Sequence, residues 1–450
     1  MDKKQDGESI MKNDYLIQKK PLNALLIFAL PMMIGNLFQQ TYTMADSCVV
    51  GRLVGEDALA AVGASYALTN IFICIAVGGG VGASVIVSRY FGAKEYARMK
   101  LAVCTAFLSF LAVSIGLAVI GSLLGRSIMQ ALNTPEDVLD MAAEYLGIYF
   151  CGLPFLFMYN VVSSMFNALG KSRIPLCFLI FSSLFNIGLD FILVKDFRMG
   201  VAGVAWATLI AQGISAVLSF LVFLYVLKKL DCGKTALFDR KELSDMTKIA
   251  LPSILQQSII SIGMMLVQSV VNGFGSQALA GFSAGIRVES LCIVPMSAIG
   301  NSLSSYTAQN MGARKNQRIL AGYHAANRMV LVCGAVICLV LELFHNGIIT
   351  FFLGEDSTPV ALATGNDYLT FMGWFFCLIG FKMAVDGLLR GAGDMKMFTI
   401  ANLANLLFRV TASMALAPVF GIRMVWVTVP IGWLINWAIS YARYRTREWA

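Results

Sequence analysis

An all-α polytopic membrane protein, with twelve transmembrane helices in two parallel six-helix repeats, is the fold class that three observations predict. Hydrophobic residues make up 58% of the 450 positions and charged residues only 13%. The charges gather in short stretches between apolar runs of roughly 20 residues or more, each enough to cross a bilayer core. Short motifs of the first half return in the second half at an almost constant offset.

The composition excludes several classes. A soluble chain of this length would carry about 25% charged residues, and the mean hydropathy here is +0.73. The net charge of +8 is spread over loops and forms no single basic stripe, so nucleic acid is not an expected partner. Nine of the ten cysteines lie in apolar runs and Cys232 stands alone in a polar loop. With no CxxC pair, neither a zinc site nor a disulfide framework is expected. The stretch Met1 to Lys20 is polar and basic, and the apolar run behind it is long enough to be a mature helix rather than a cleaved signal.

The apolar runs predict spans near 22–49, 58–87, 100–124, 138–166, 174–194, 201–227, 247–272, 279–307, 321–344, 362–389, 397–418 and 422–442. An even count puts both termini on one side. Of the 34 lysines and arginines, 26 fall on that side, 5 on the other, and Arg287, Lys382 and Arg409 lie within spans. Positive charge is retained in the cytoplasm, so both termini are expected there, in a plasma (inner) membrane. An odd span count, or termini on opposite faces, would contradict this topology.

The longest polar stretch between spans, 228–245, sits near the middle of the chain and separates a first lobe, 1–227, from a second, 246–450. Ala29-Leu30-Pro31 returns as Ala250-Leu251-Pro252, and Phe91-Gly92-Ala93-Lys94 as Met311-Gly312-Ala313-Arg314. Leu184-Phe185-Asn186 returns as Leu407-Phe408-Arg409, and Val204-Ala205-Trp206-Ala207-Thr208 as Met424-Val425-Trp426-Val427-Thr428. Four matches in order at offsets of 220 to 223 mark an internal repeat. Each half holds an even number of spans, so the halves share one orientation. In transporters that arrangement sets the substrate between the halves.

Ionisable groups inside an apolar span cost at least about 2.5 kcal/mol each to insert and so point to function. In the first span, Gln39, Tyr42 and Asp46 are spaced by three and four residues and share a face, with Asn36 one turn earlier. Pro31 in the same helix removes a backbone bond and allows a kink or a local break. In the fifth span Asn186 and Asp190 are stacked four apart, and Thr208 offers a hydroxyl in the sixth. Two carboxylates, an amide oxygen and a hydroxyl form a hard-oxygen set suited to sodium, or to a proton shared between carboxylates. The alternative is that Asp46, near Arg52, and Asp190, near Lys195, end in headgroups or water.

The repeat makes this chemistry one-sided. Val267 stands opposite Asp46, Arg409 opposite Asn186 and Ser413 opposite Asp190. Arg409 needs an anion, for which Glu289 and Asp386 are the buried candidates, while Lys382 and Asp386 are spaced to pair on one helix. These charges read as ion pairs within the second lobe. Gln256, Gln257, Met264 and Met265 in the seventh span could line an adaptable cavity. Gly78-Gly79-Gly80-Val81-Gly82 reads as close helix packing or a bend. Gly170-Lys171-Ser172 lacks the first glycine of a phosphate loop. No HExxH, GxSxG or Cys/His arrangement supports an enzyme, and two unequal halves offer no ring of like groups for a passive channel.

These residues together resemble the multidrug and toxic compound extrusion (MATE) family over roughly 20–442. The resemblance rests on the LPMM and FQQTYTMAD stretches of the first span, the YFGAK and NMGAR pair, the NALGKS and LLRGAGD pair, and NIGLD followed by VAWAT. It implies twelve helices in two lobes, export of organic and often cationic drugs, and coupling to proton or sodium influx. In the prokaryotic branch with an N-lobe site, the cation residues match Asp46, Asn186, Asp190 and Thr208. The kinking proline matches Pro31, and supporting polar residues match Gln39 and Tyr42. The other prokaryotic branch carries a glutamate in helix 7 where this chain has only glutamines, so no second-lobe sodium site is implied.

The reading is therefore a secondary antiporter and not an enzyme. It is expected to act as a monomer in the bilayer, with a small organic substrate, a proton or sodium as coupling cation, and no cofactor. The alternative within transport is a flippase or exporter of lipid-linked or oligosaccharide substrates, although relatives of that kind usually have more helices.

Overall fold

The structure, a computed structural model, describes residues 14–131, 134–230, 235–354 and 357–449. The side chains of 45–50, 52, 53, 56, 57, 59, 67, 131 and 137 lie outside that description, and with them the carboxylate of Asp46.

In hydrocarbon, every backbone N–H and C=O must find its partner within the segment, which leaves the helix as the only open-ended solution. The chain follows that rule. A short α1 (Tyr15–Gln18) precedes α2 (Pro21–Leu53), α3 (Glu56–Ala93), α4 (Tyr96–Ala131), α5 (Glu136–Ala168) and α6 (Arg173–Asp190). A π-helical turn, Phe191–Asp196, continues α6 and leads to α7 (Gly200–Lys229). The second half holds α8 (Arg240–Asn272), α9 (Ser276–Gly312), α10 (Asn316–Leu353), α11 (Pro359–Gly373), α12 (Phe376–Ala392), α13 (Met395–Phe420) and α14 (Arg423–Thr446). Among the described residues, eleven of these helices are each long and apolar enough to span a bilayer. The twelfth span is α11 with α12, two helices bent 54° apart at Trp374 and Phe375. The sequence reads 362–389 as one span. The break comes directly after Gly373, where Phe375 N–H turns back to the carbonyl of Met372 at 2.9 Å.

The repeated motifs are helix stops. In YFGAK, Lys94 adopts φ 60° and the N–H of Glu95 returns to the carbonyl of Tyr90 at 3.0 Å. In NMGAR, Arg314 adopts φ 56° and Lys315 N–H returns to Asn310 at 2.8 Å. NALGK and RGAGD do the same with glycine: Gly170 (φ 74°) lets Lys171 N–H reach Phe166, and Gly393 (φ 84°) lets Asp394 N–H reach Leu389. These left-handed closures satisfy the last carbonyls of each helix. They also account for Gly170-Lys171-Ser172 without any phosphate.

The chain forms two compact units. The first comprises residues 1–15 and 34–254, the second 16–33 and 255–450. The first part of α2 belongs to the second unit and the first part of α8 to the first. The changeovers, at 33/34 and 254/255, lie 221 residues apart, the same offset that separates Pro31 from Pro252. Neither proline interrupts its helix: α2 runs unbroken through Pro31 and α8 through Pro252. The local break allowed by Pro31 is therefore absent.

Each unit packs by the same plan. In the first, α5 touches α3, α4 and α7, and α6 lies on α7. In the second, α12 touches α9, α10 and α14, and α13 lies on α14. Small residues allow the tightest approaches. A Cβ added to Gly78 would stand 2.6 Å from the backbone nitrogen of Ile254, and one added to Gly82 would stand 2.6 Å from that of Ala250, both on the first part of α8. The glycine run thus seats α3 against α8 within the first unit. In the second unit, Leu16 and Ile17 are buried, and their carbonyls accept from Asn310 (3.1 Å) and Lys315 (3.3 Å), while Arg318 donates to Lys19 at 2.6 Å.

Gly82→Val is expected to force α3 from α8 and to destabilise the protein by about 1–3 kcal/mol. The readout is a lower thermal midpoint of the detergent-purified protein. Gly63→Ala, whose added Cβ meets nothing within 4 Å, should not lower it.

Candidate functional site

The sequence placed Tyr42, Asn186, Asp190 and Thr208 on three different helices. Within the first unit these side chains meet. Asp190 is fully buried and Asn186 is 2% exposed, so neither carboxylate nor amide lies among headgroups. The Asn186 amide is the junction. In one orientation it accepts from the Tyr42 hydroxyl at 2.5 Å and donates to Thr208 Oγ1 at 3.3 Å. Turned over, its nitrogen donates to Asp190 Oδ2 at 3.2 Å and to the Tyr42 hydroxyl, and its oxygen accepts from the N–H of Thr208 at 3.0 Å. The second orientation gives the amide oxygen a donor and the amide nitrogen two acceptors. Either way α2, α6 and α7 are tied through one side chain.

Local structure explains why the site falls here. Asn186 and Asp190 are one turn apart and occupy the last turn of regular α6. The next six residues wind as a π-helical turn, and Phe197 N–H reaches back five residues to Ile192 at 3.0 Å. Such turns widen the helix and recur at functional positions. Thr208 lies about two turns into α7 and also donates to the carbonyl of Val204 at 3.1 Å.

Sequence reasoning did not single out the wall beside Thr208. Tyr145, Tyr149, Gly152, Leu156, Ala205, Leu209 and Gln212 join it around a small recess between α5 and α7. Tyr145 and Tyr149 stack with ring centroids 6.3 Å apart, and the Tyr149 hydroxyl is buried with no hydrogen-bond partner among the described residues. Their i, i+4 spacing inside an apolar span was the available signal. Of the other predicted positions on α2, Pro31 is buried, Asn36 half-buried and Gln39 exposed. Asp46 lies on α2 one turn beyond Tyr42, and its side chain is outside the described residues.

The second unit carries different chemistry on the same frame. Lys382 and Asp386 form a buried ion pair at 2.9 Å. Asn402 accepts from Lys382 at 3.0 Å and donates to Asp386 at 3.3 Å, and Ser440 donates to Asp386 at 3.0 Å. Gln256 donates to Asn402 at 3.2 Å, so it belongs to this network. Met264 is half-buried and Met265 exposed on the same helix. At the repeat counterparts of Asp190 and Thr208, Ser413 and Thr428 share a hydrogen bond at 2.8 Å. That pair is neutral and self-satisfied. Glu289 accepts from the hydroxyl of Tyr368, and Arg409 interacts electrostatically with both. Among the described residues, no group of three or more His, Cys, Asp or Glu is arranged to hold a metal ion. The first-unit set has a different character: a carboxylate, a carboxamide and hydroxyls, oxygen donors that suit a hard monovalent cation or a proton.

Comparison with known proteins agrees with this architecture. A protein described as "Probable multidrug resistance protein YpnP", from Bacillus subtilis (strain 168), is 29% identical over 441 residues, covering 98% of each chain. An "FAD transporter" from Shewanella oneidensis is 26% identical over 351 residues, covering 76% of this chain and 77% of its own. A solved structure described as the outward-facing conformation of a multidrug resistance MATE family transporter superposes with a TM-score of 0.89. It covers 97% of this chain and 98% of its own at 24% identity, and so shows the same fold. The MatE family model matches twice, at residues 31–192 and 252–414. Both matches open on the repeated prolines, and together they span most of the two halves. The chain belongs to the MatE family of membrane transport proteins.

Proposed function

We propose that the protein is a secondary active efflux transporter. It antiports organic, chiefly cationic, substrates against protons or sodium by alternating access, as a monomer in the plasma membrane with both termini cytoplasmic. The coupling cation is held by Asp46, Asn186, Asp190 and Thr208. One observation carries this reading: a fully buried carboxylate, Asp190, joined through the Asn186 amide to the Tyr42 hydroxyl on α2 and the backbone N–H of Thr208 on α7. The names of relatives, a probable multidrug resistance protein and an FAD transporter, support organic molecules as the class of substrate.

The mechanism follows from electrostatics. A carboxylate in a low-dielectric interior favours a bound proton or metal ion over an empty charged state. With Asp46 one turn from Tyr42, two carboxylates would titrate as a coupled pair, and one cation between them relieves both desolvation and repulsion. Binding therefore changes the forces on Tyr42 and on the outer part of α2. A cation shifts such an equilibrium only by binding the two shapes unequally. Here the unequal term is the position of α2 relative to Asn186 and Asp190. The oxygen set accommodates either a proton or sodium, and the imposed gradient distinguishes them.

Everted vesicles containing the protein, with pH and sodium gradients imposed separately, test this reading. Asp46→Asn and Asp190→Asn are each expected to abolish gradient-driven efflux while membrane levels stay unchanged. Full coupled efflux in Asp190→Asn would overturn it. Tyr42→Phe removes one hydrogen bond of about 1 kcal/mol. It should raise the cation concentration needed for half-maximal efflux by roughly fivefold without abolishing transport.

A further inference from the structure

We propose that Arg409 in the second unit is an anion-recognising subsite, so that the preferred substrates carry a carboxylate or phosphate group alongside any positive charge. This rests on the transport reading above and adds the substrate class to it.

Arg409 occupies the repeat position of Asn186, and lies about three turns from the end of α13. Its Nε is buried and donates to nothing among the described residues, while the side chain as a whole is only half-buried. Arg409 therefore carries a buried, unused donor on a side chain that is not fully enclosed. It acts electrostatically on Glu289. No nitrogen of Arg409 comes within 4.0 Å of a carboxylate oxygen among the described residues. Glu289 is engaged by the hydroxyl of Tyr368, whose ring packs edge-on to Trp426 at 5.7 Å. Asp386, the other acid considered for Arg409, is taken up by Lys382, Asn402 and Ser440.

A guanidinium inside a membrane span needs a reason. An ion pair would be a sufficient structural one, and Lys382 with Asp386 shows what that looks like in the same unit. Arg409 lacks such a pair, and its planar fork matches carboxylate or phosphate oxygens two at a time. Glu289 feels the charge of Arg409 without forming a salt bridge to it, and so leaves the hydrogen bonds of the guanidinium unsatisfied. A carrier needs that balance, because it must release the anionic group as well as bind it. Arg409 thus alternates between the substrate's anionic group and the field of Glu289.

The test uses purified protein in nanodiscs and two probes that differ only at the anionic group: a zwitterionic quinolone carboxylic acid and its ethyl ester. Equilibrium binding of each is measured. Wild type should bind the acid more tightly than the ester. Arg409→Gln should weaken the acid by about tenfold or more, the loss expected for a charge-assisted hydrogen bond, and leave the ester unchanged. Arg409→Lys, which keeps the charge without the fork, should fall between them. Glu289→Gln removes the competing acid and should tighten acid binding. Equal affinity of wild type for acid and ester overturns the proposal, as does an equal loss of both in Arg409→Gln, which would mark Arg409 as structural or as a lipid-headgroup contact. Failure of the antiport reading shows separately, as ester efflux that ignores both gradients.

Discussion

Asp190 is a carboxyl group with no solvent exposure, on a helix whose other faces meet hydrocarbon and packed apolar side chains. That single constraint organises the first unit. Left ionised and unaided, the group would cost at least about 2.5 kcal/mol in a span. The surroundings therefore supply an amide one turn earlier, which is itself held by a phenol from α2 and a backbone N–H from α7. The widened turn after Asp190 and the recess beside Thr208 follow the same need for polar groups and space near a buried charge. The fold positions the helices; the charge dictates what they carry at this depth.

The repeat supplies the comparison that gives this arrangement meaning. Both units close their helices with the same left-handed stops and pack corresponding helices in the same pairs. The chemistry at equivalent positions then diverges. Where the first unit has Asp190 near Thr208, the second has Ser413 bonded to Thr428. Where the first has an amide, the second has a guanidinium. Duplication fixed the frame, and the frame tolerates opposite polarities because each buried group is stabilised locally. Asp386 shows the tolerant case, with a lysine, an amide and a hydroxyl around it.

Much of this was legible in the residues. Hydropathy located the spans because a membrane helix must be apolar along its whole length, and the motif offset revealed the repeat. Asn186 and Asp190 were visible as a stacked polar pair in an apolar run, and Tyr42 as a member of the same face as Asp46. What sequence concealed was the course of α2 and α8 through the two compact units. Nothing in Pro31 or Pro252 announces that each helix changes unit three residues later while remaining unbroken, because the change depends on what packs alongside. The break at Trp374 was hidden because hydropathy is continuous across it. Tyr145, Tyr149 and Gln212 were missed because an aromatic pair in a span reads as packing until its neighbours are known. Arg409 was expected beside Glu289 or Asp386; charge alone could not reveal that the pairing stops short of contact.

The central claim is that Asp190 takes up the coupling cation inside the first unit. Difference infrared spectroscopy of the purified protein reports this directly through the carboxylic C=O stretch of a buried protonated acid. The account predicts a band that appears as pH falls and vanishes as pH or sodium concentration rises. It further predicts that Asp190→Asn removes that band from an otherwise intact protein. An unchanged band in Asp190→Asn, with the same pH and sodium dependence as wild type, would contradict the account.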